Sequence, residues 1–101
     1  MDLLKLPTDQ NPTERWNSIM NGAAQKQMVA IRYRDKDNQL SLRKVEPYEI
    51  KDGKLFAYDP EKGGIRAFFT QNIEAALKTD DGFEPRFPIK INSSIMSDSS
   101  L

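Results

Sequence analysis

The segments MVAIRYR (28–34), QLSLRKV (39–45), LFAY (55–58) and IRAFF (65–69) decide the fold. Read with a period of two, each segment places its more apolar side chains on one face, which is the pattern of a half-buried β-strand. Short runs rich in Asp, Asn, Gly and Pro separate the segments, and these residues favour tight turns. Closely spaced strands joined by tight turns predict one antiparallel sheet, either strongly bent or closed as a small barrel.

The remaining strand pattern is less regular. Pro47 is predicted to end the second strand, because proline cannot donate a hydrogen bond to a ladder, and Tyr48–Ile50 begins a short strand after it. Residues 73–78 fit either a last strand or a helical turn. The expected fold class is therefore mainly β (α+β), with an N-terminal helix and a five-stranded antiparallel sheet or small barrel.

The helix is predicted from apolar spacing ahead of the strands. Trp16, Ile19, Met20 and Ala23 recur at i, i+3, i+4 and i+7, which predicts a helix over 13–25 with one apolar stripe. Gly22 either weakens this helix or marks an early end. We expect the helix to pack on the sheet through Trp16 and Ile19.

The alternation also predicts which side chains are buried in the core and which are half-exposed. Tyr33 and Phe68 are expected to be half-exposed near Arg66. The expected core residues are Trp16, Ile19, Val29, Ile31, Leu40 or Leu42, Ile50, Leu55, Ala57, Ile65, Ala67 and Ile73.

The chain is short enough to form one domain. We expect an N-terminal extension at 1–12, a single domain at 13–91 and a disordered Ser-rich tail at 92–101. Within the domain, residues 83–91 are expected to lie over the sheet.

Composition narrows the function. The 101 residues contain no Cys and no His, which removes the commonest general base, metal ligands and thiol nucleophile together. We therefore expect no catalytic residues, no metal, no cofactor and no enzymatic activity. There is no secretory signal pattern and no run near the roughly 18 apolar residues of a membrane span, so the expected location is the cytoplasm.

Arginine and aromatic side chains on the strands form the candidate site. Formal net charge is zero, but residues 26–51 hold seven Lys and Arg against four Asp and Glu. Arginine suits planar contact with phosphate or carboxylate, and aromatic rings offer stacking surfaces for bases. The same arginines also fit a solvated sheet face, paired with Asp35, Glu46 or Glu49. The candidate residues are Arg32, Tyr33, Arg34, Arg43, Tyr58, Arg66 and Phe68.

These strands resemble the WYL domain of bacterial transcription regulators over roughly residues 24–84. The resemblance rests on Ile-Arg-Tyr-Arg-Asp at 31–35, Val-Glu-Pro at 45–47, Ala-Tyr-Asp at 57–59 and Ile-Arg-Ala-Phe at 65–68. It departs from the family where the Trp-Tyr-Leu triplet is absent and where Asn72 replaces the arginine before the closing isoleucine.

The resemblance implies a fold and a function class. WYL domains are similar to SH3-type and Sm-like small barrels and are understood as ligand-sensing, with a basic pocket for nucleic acid or nucleotide-like ligands. By the resemblance, Tyr33, Pro47, Tyr58 and Arg66 match positions of the family's motifs. A single helix before the first strand cannot make a helix-turn-helix, so a divergent, standalone sensor domain of bacterial or phage origin is expected.

Two function classes follow. The first is a regulatory module that binds a nucleotide or short single-stranded nucleic acid. The second is a protein-interaction module, an adaptor or inhibitor that docks on a host protein complex. Small open sheets also expose strand edges, so a homodimer through a strand edge is a further expectation.

Overall fold

The structure is a computed structural model that describes residues 6–7 and 10–91. The predicted tail at 92–101 and much of the extension at 1–12 lie outside the described residues. In chain order the elements are α1 (Pro12–Gln25), β1 (Gln27–Arg34), β2 (Leu40–Lys51), β3 (Lys54–Asp59), β4 (Gly64–Phe69), a 3-10 turn (Thr70–Asn72) and β5 (Ile73–Gly82). The five strands form one antiparallel sheet in the order β4-β3-β2-β1-β5. This confirms the predicted class of one helix and a five-stranded antiparallel sheet.

Local chemistry sets both ends of α1. Asn11 is the N-cap: its side chain accepts from the backbone N–H of Glu14, and the Glu14 carboxylate accepts in return from the N–H of Asn11. Lys26 ends the helix in the left-handed region, at φ 56°. Gly22 does not end the helix early. A Cβ atom there would lie 2.3 Å from Cγ2 of Val29, so the glycine allows α1 to approach β1 closely.

β2 joins the two halves of the sheet. Its first half pairs with β1 as far as Val45, and its second half pairs with β3 from Glu46 onward. The prediction that Pro47 ends the strand is wrong, because β2 continues through it to Lys51. Pro47 lies past the paired residues of β1 and beside a register shift toward β3, where a missing N–H is tolerated.

The sheet is bent but not closed, so the barrel alternative is corrected. β4 and β5 are its two edges. The edge of β4 approaches the end of β1, where the backbone N–H of Phe69 donates to the Tyr33 hydroxyl over 3.1 Å. We call this gap between β4 and the end of β1 the seam. A side-chain hydrogen bond spans the seam in place of a strand ladder.

The core forms between α1 and the inner face of the sheet. Six of the predicted core residues are buried there, while Ile50 packs against them and Trp16 is half-buried. Tyr33 is half-buried, as predicted. The six confirmed residues are Ile19, Val29, Ile31, Leu55, Ala57 and Ile73.

Two strands have the opposite phase to the predicted one. Leu40 and Leu42 are exposed, because they pair with Arg34 and Arg32 on the outer face. On β4, Ile65 is 45% exposed and Phe68 only 3%. The register between β3 and β4 sets the phase of β4.

The register of β4 follows from its turn. The buried Asp59 of β3 lies opposite Gly64, so every second residue from Gly64 shares the inner face. That parity places Phe68 inside opposite Leu55, and it turns Ala67 outward.

Residues 83–91 lie over the sheet, as expected. The Tyr48 ring makes edge-to-face contacts with Phe83 and Phe87, at centroid distances of 5.8 and 5.3 Å. The N–H of Lys90 donates to the Tyr48 carbonyl over 2.7 Å, and Ile91 is buried in the core.

Candidate ligand-binding groove at the seam

The predicted site residues divide between two faces of the sheet. Directly paired residues on neighbouring antiparallel strands share a face. Arg66 pairs with Ala57, and Arg43 pairs with Ile31, so both arginines belong to the inner face. The inner group is Tyr33, Arg43, Arg66 and Phe68, and the outer group is Arg32, Arg34 and Tyr58.

The outer arginines are occupied by protein groups. Nε of Arg34 donates to the Glu74 carboxylate over 2.7 Å. Arg32 lies 3.6 Å from the same carboxylate and donates to the Pro7 carbonyl over 2.7 Å. The hydrogen bond from Arg34 lowers the pKa of Glu74. These two guanidinium groups hold β5 and the N-terminal segment against β1.

Arg43 is paired inside the protein. Its Nη1 lies 3.2 Å from the Asp59 carboxylate, which is 1% exposed. The same carboxylate accepts from the backbone N–H of Glu61 over 3.0 Å. Arg43 therefore compensates a buried negative charge at the start of the β3–β4 turn.

Tyr58 is covered by a residue that the sequence did not single out. The Arg86 guanidinium lies 3.9 Å from the centre of the Tyr58 ring and donates to Glu46 over 3.1 Å. The Tyr48 hydroxyl also donates to Glu46, over 2.7 Å, and burial raises the pKa of Tyr48 to about 12. Arg86 stands 28 positions from Tyr58, so no local pattern could have found this stack.

Arg66 differs from the other candidate arginines. It is exposed, and within residues 6–7 and 10–91 no carboxylate forms an ion pair with it. Arg66 and Tyr33 line one groove at the seam, and the Tyr33 ring packs edge-on against Phe68 at a centroid distance of 5.0 Å. Phe68 is only 3% exposed and is not among the residues that line this groove. Of the predicted site residues, the seam therefore brings together Arg66 and Tyr33.

A groove of about 420 Å³ occupies the seam. The end of β1, the turn at 35–37, β4 and the Thr70–Asn72 turn line it. We call it the seam groove. Lys36 and Arg66 contribute positive charge there, and Asp35 and Asp37 contribute negative charge.

The carboxylate of Asp35 accepts hydrogen bonds from the backbone of its own turn. Its Oδ1 accepts from the backbone N–H groups of Asp37 and Gln39, each over 2.9 Å. Asp35 therefore stabilises the β1–β2 turn. The Arg66 guanidinium lines the same groove and has no ion-pair partner among the described residues.

Seven of the nine residues that line the groove were absent from the predicted site, among them Phe69, Gln71 and Asn72. Phe69 is 47% exposed. The predicted core placed Ile65 and Ala67 inward, and the same alternation would have turned Phe69 inward with them. Gln71 and Asn72 contribute side-chain amides. Asn72 stands where the WYL family has an arginine, so the departure from the family pattern falls inside the groove.

Neither a metal centre nor a membrane span emerges from the described part of the chain. No cluster of three or more potential metal-ligating residues occurs there. None of the helices in those residues is both long and apolar enough to cross a membrane.

One helix packed on an open five-stranded sheet, with an arginine-bearing groove at the seam, defines a small α+β domain. The family description "WYL domain" matches residues 14–77, well over half of the chain, and the chain belongs to this family. No curated protein matches it.

A solved structure shares the fold. Proteasome accessory factor B/C (PafBC) of Arthrobacter aurescens superposes with a TM-score of 0.62 and 16% sequence identity. The match covers 85% of this chain and 16% of that chain. At this identity the likeness concerns the fold alone.

Proposed function

We propose that this domain is a non-enzymatic regulatory module that binds a nucleotide or a short single-stranded nucleic acid in the seam groove. The observation that carries the proposal is the exposed Arg66, which forms no ion pair with a described residue and lines the same groove as the aromatic residues Tyr33 and Phe69. Membership of the WYL family supports the regulatory class. The absence of Cys and His from the chain supports binding over catalysis.

The groove offers a complementary group for each part of a nucleotide. The planar guanidinium of Arg66 suits two parallel hydrogen bonds to a phosphate. The Phe69 ring is 47% exposed, with the Lys54 ammonium 5.4 Å from its centre. The part of the ring that Lys54 leaves exposed offers a surface on which a base can stack. The amides of Gln71 and Asn72 each carry a donor and an acceptor for base edges.

Tyr33 adds a directed donor. Its hydroxyl oxygen accepts from Phe69 N–H, so the hydroxyl proton can still be donated to a ligand oxygen. The same bond fixes the ring at the mouth of the groove. Tyr33 therefore both positions β4 and contacts the ligand.

Titration of a short, fluorescently labelled single strand, followed by anisotropy, tests the proposal. Arg66→Ala is expected to remove a charge-assisted contact worth about 1–3 kcal/mol, a loss of about 5- to 150-fold in affinity. Lys62→Ala is the matched control, because it also removes one positive charge but lies exposed in the β3–β4 turn. The affinity should also fall as salt rises, since phosphate contacts release counterions.

Two results would contradict the proposal. One is an absence of binding at low salt. The other is an equal loss in the Arg66 and Lys62 variants, which would mean that only the total charge matters.

A second candidate function, protein interaction, is favoured by the difference between the two sheet edges. The β5 edge is blocked: the side-chain amide of Gln10 donates to the carbonyl of Ala76 and accepts from its N–H, each over 2.8 Å. This pair of hydrogen bonds occupies the backbone groups that a partner strand would need.

The β4 edge is more open. Thr70 N–H points back to the β3 side, to the Gly53 carbonyl, while Phe69 N–H points away to Tyr33. By alternation, the backbone groups of Ile65 and Ala67 also point away from β3. Side chains of Ile65 and Phe69 stand exposed along this edge, which suits an extended partner segment with alternating apolar residues.

Ala67→Pro tests this alternative, because it removes one outward N–H and leaves the β3 ladder intact. A protein partner retained from nuclease-treated bacterial lysate by the native chain, and lost by Ala67→Pro, would support it. Sedimentation over a concentration series tests the homodimer through the same edge. Retention that nuclease abolishes would favour the nucleic-acid proposal instead.

A further inference from the structure

A second groove lies on the other side of the Thr70–Asn72 turn. It has a volume of about 320 Å³ and lies between the first turns of α1 and the start of β5. Its lining is mainly apolar and includes Trp16 and Ile73, with Arg15 at its polar side. We call it the helix groove.

Trp16 gives the helix groove an aromatic surface. It is the single tryptophan of the chain and is only half-buried, although its helical position would suit a core anchor. A partly exposed indole face stacks well on a nucleic-acid base, and such stacking tolerates any base. The exposed part of Trp16 is thus available for a ligand.

Arg15 adds a cation beside this ring. Its Nη1 donates to the Gln10 carbonyl over 2.6 Å, which fixes the guanidinium and leaves its other N–H groups. In the part of the chain that the structure describes, no carboxylate forms an ion pair with Arg15. The helix groove therefore repeats the pairing of a guanidinium with an aromatic ring found in the seam groove.

The two grooves share one lining residue. Gln71 is exposed and lines both of them. The three-residue turn Thr70–Asn72 lies between the two grooves. An extended ligand in the seam groove would have to cross this turn to reach the helix groove.

We infer that the ligand is a single strand longer than one nucleotide, which crosses the Thr70–Asn72 turn and stacks a second base on Trp16. Arg15 contacts the phosphate that links the two positions. This inference rests on the proposed function, and it names the class of ligand within it. Alternating rings and cations along a path are the usual arrangement for binding an extended single strand.

The single tryptophan makes the inference testable in the native chain. Unlabelled deoxythymidine nucleotides of one to about six units are titrated, with calorimetry for affinity and the Trp16 fluorescence lifetime as a local reporter. A mononucleotide should bind without changing the lifetime. Longer strands should bind more tightly and shorten it.

Variants separate the two grooves. Arg15→Ala and Trp16→Leu should each weaken binding of the longer strands by about 5- to 150-fold and leave mononucleotide binding unchanged. Arg66→Ala should weaken both ligands. Circular dichroism of each variant shows that the fold is retained, and the lifetime measurement on the native chain needs no substitution at all.

Failure of this inference and failure of the proposed function give different results. If affinity is independent of length and the Trp16 lifetime is unchanged, the inference is overturned and the seam groove remains the ligand site. If neither a mononucleotide nor a longer strand binds, the proposed function and the inference both fail.

Discussion

At the residue scale, the arginines of this domain do different kinds of work. Arg43 compensates the buried carboxylate of Asp59, while Arg34 pairs with Glu74 at the surface. Among the described residues, Arg66 pairs with no carboxylate. How much the loss of a guanidinium lowers the free energy of unfolding depends on whether its removal leaves a buried charge without a partner.

This difference gives a prediction for stability. Arg43→Ala should lower the free energy of unfolding by about 1–3 kcal/mol, because it leaves the Asp59 carboxylate buried without its cation. Arg34→Ala should lower it by about 0–1 kcal/mol, because both partners of that pair are 36% exposed. Urea denaturation of the two variants and the native chain measures both values, and equal losses would contradict the assignment.

At the scale of elements, Gly22 governs how closely α1 packs on β1. An alanine is the better helix former by about 1 kcal/mol, so propensity alone favours Gly22→Ala. Its Cβ, however, would lie 2.3 Å from Cγ2 of Val29 and 2.9 Å from the Gln27 carbonyl oxygen. Overpacking of this kind costs about 1–3 kcal/mol.

We therefore expect Gly22→Ala to lower the thermal midpoint. Asn21→Ala is the control, because Asn21 is exposed on the same turn and its replacement should raise stability slightly, by less than about 0.7 kcal/mol. A rise in the midpoint for Gly22→Ala would show that α1 is free to move away from β1.

The elements also show how far sequence reasoning reaches. Alternation and turn residues are local, so they predicted α1, β1, β3 and β4 to within one residue at each end. They wrongly ended β2 at Pro47 and left residues 73–78 open between a strand and a helical turn. The phase of β4 is not local, because it depends on the register that places Gly64 opposite Asp59. In the sequence, Ile65, Ala67 and Phe69 made the wrong phase the more apolar one, because the other phase carries Arg66 beside Phe68.

The candidate site was predictable in part for the same reason. Residue types and the family resemblance pointed to Arg66 and Tyr33, which meet at the seam. They could not tell which arginines are paired, since Glu74 lies 40 positions from Arg34 and Asp59 lies 16 from Arg43. Arg86, which stacks on Tyr58, lies 28 positions from it in the sequence.

At the scale of the whole molecule, the opening of the sheet creates the site. A closed barrel would pair the two edge strands, β4 and β5, in a ladder. Here β4 stays an edge, and Tyr33 spans the seam with one hydrogen bond, which leaves a groove between β4 and the end of β1. Strands carry Tyr33 and Arg66, and turns carry the groove residues at 35–37 and 71–72.

A backbone amide NMR titration with a short single-stranded oligonucleotide tests this account most directly. We predict that the largest shift changes fall on Tyr33, Arg66, Phe69, Gln71 and Asn72, and that they disappear in Arg66→Ala. Changes centred on Tyr58 and Arg86, or no changes at low salt, would contradict the claim that the seam is the ligand site.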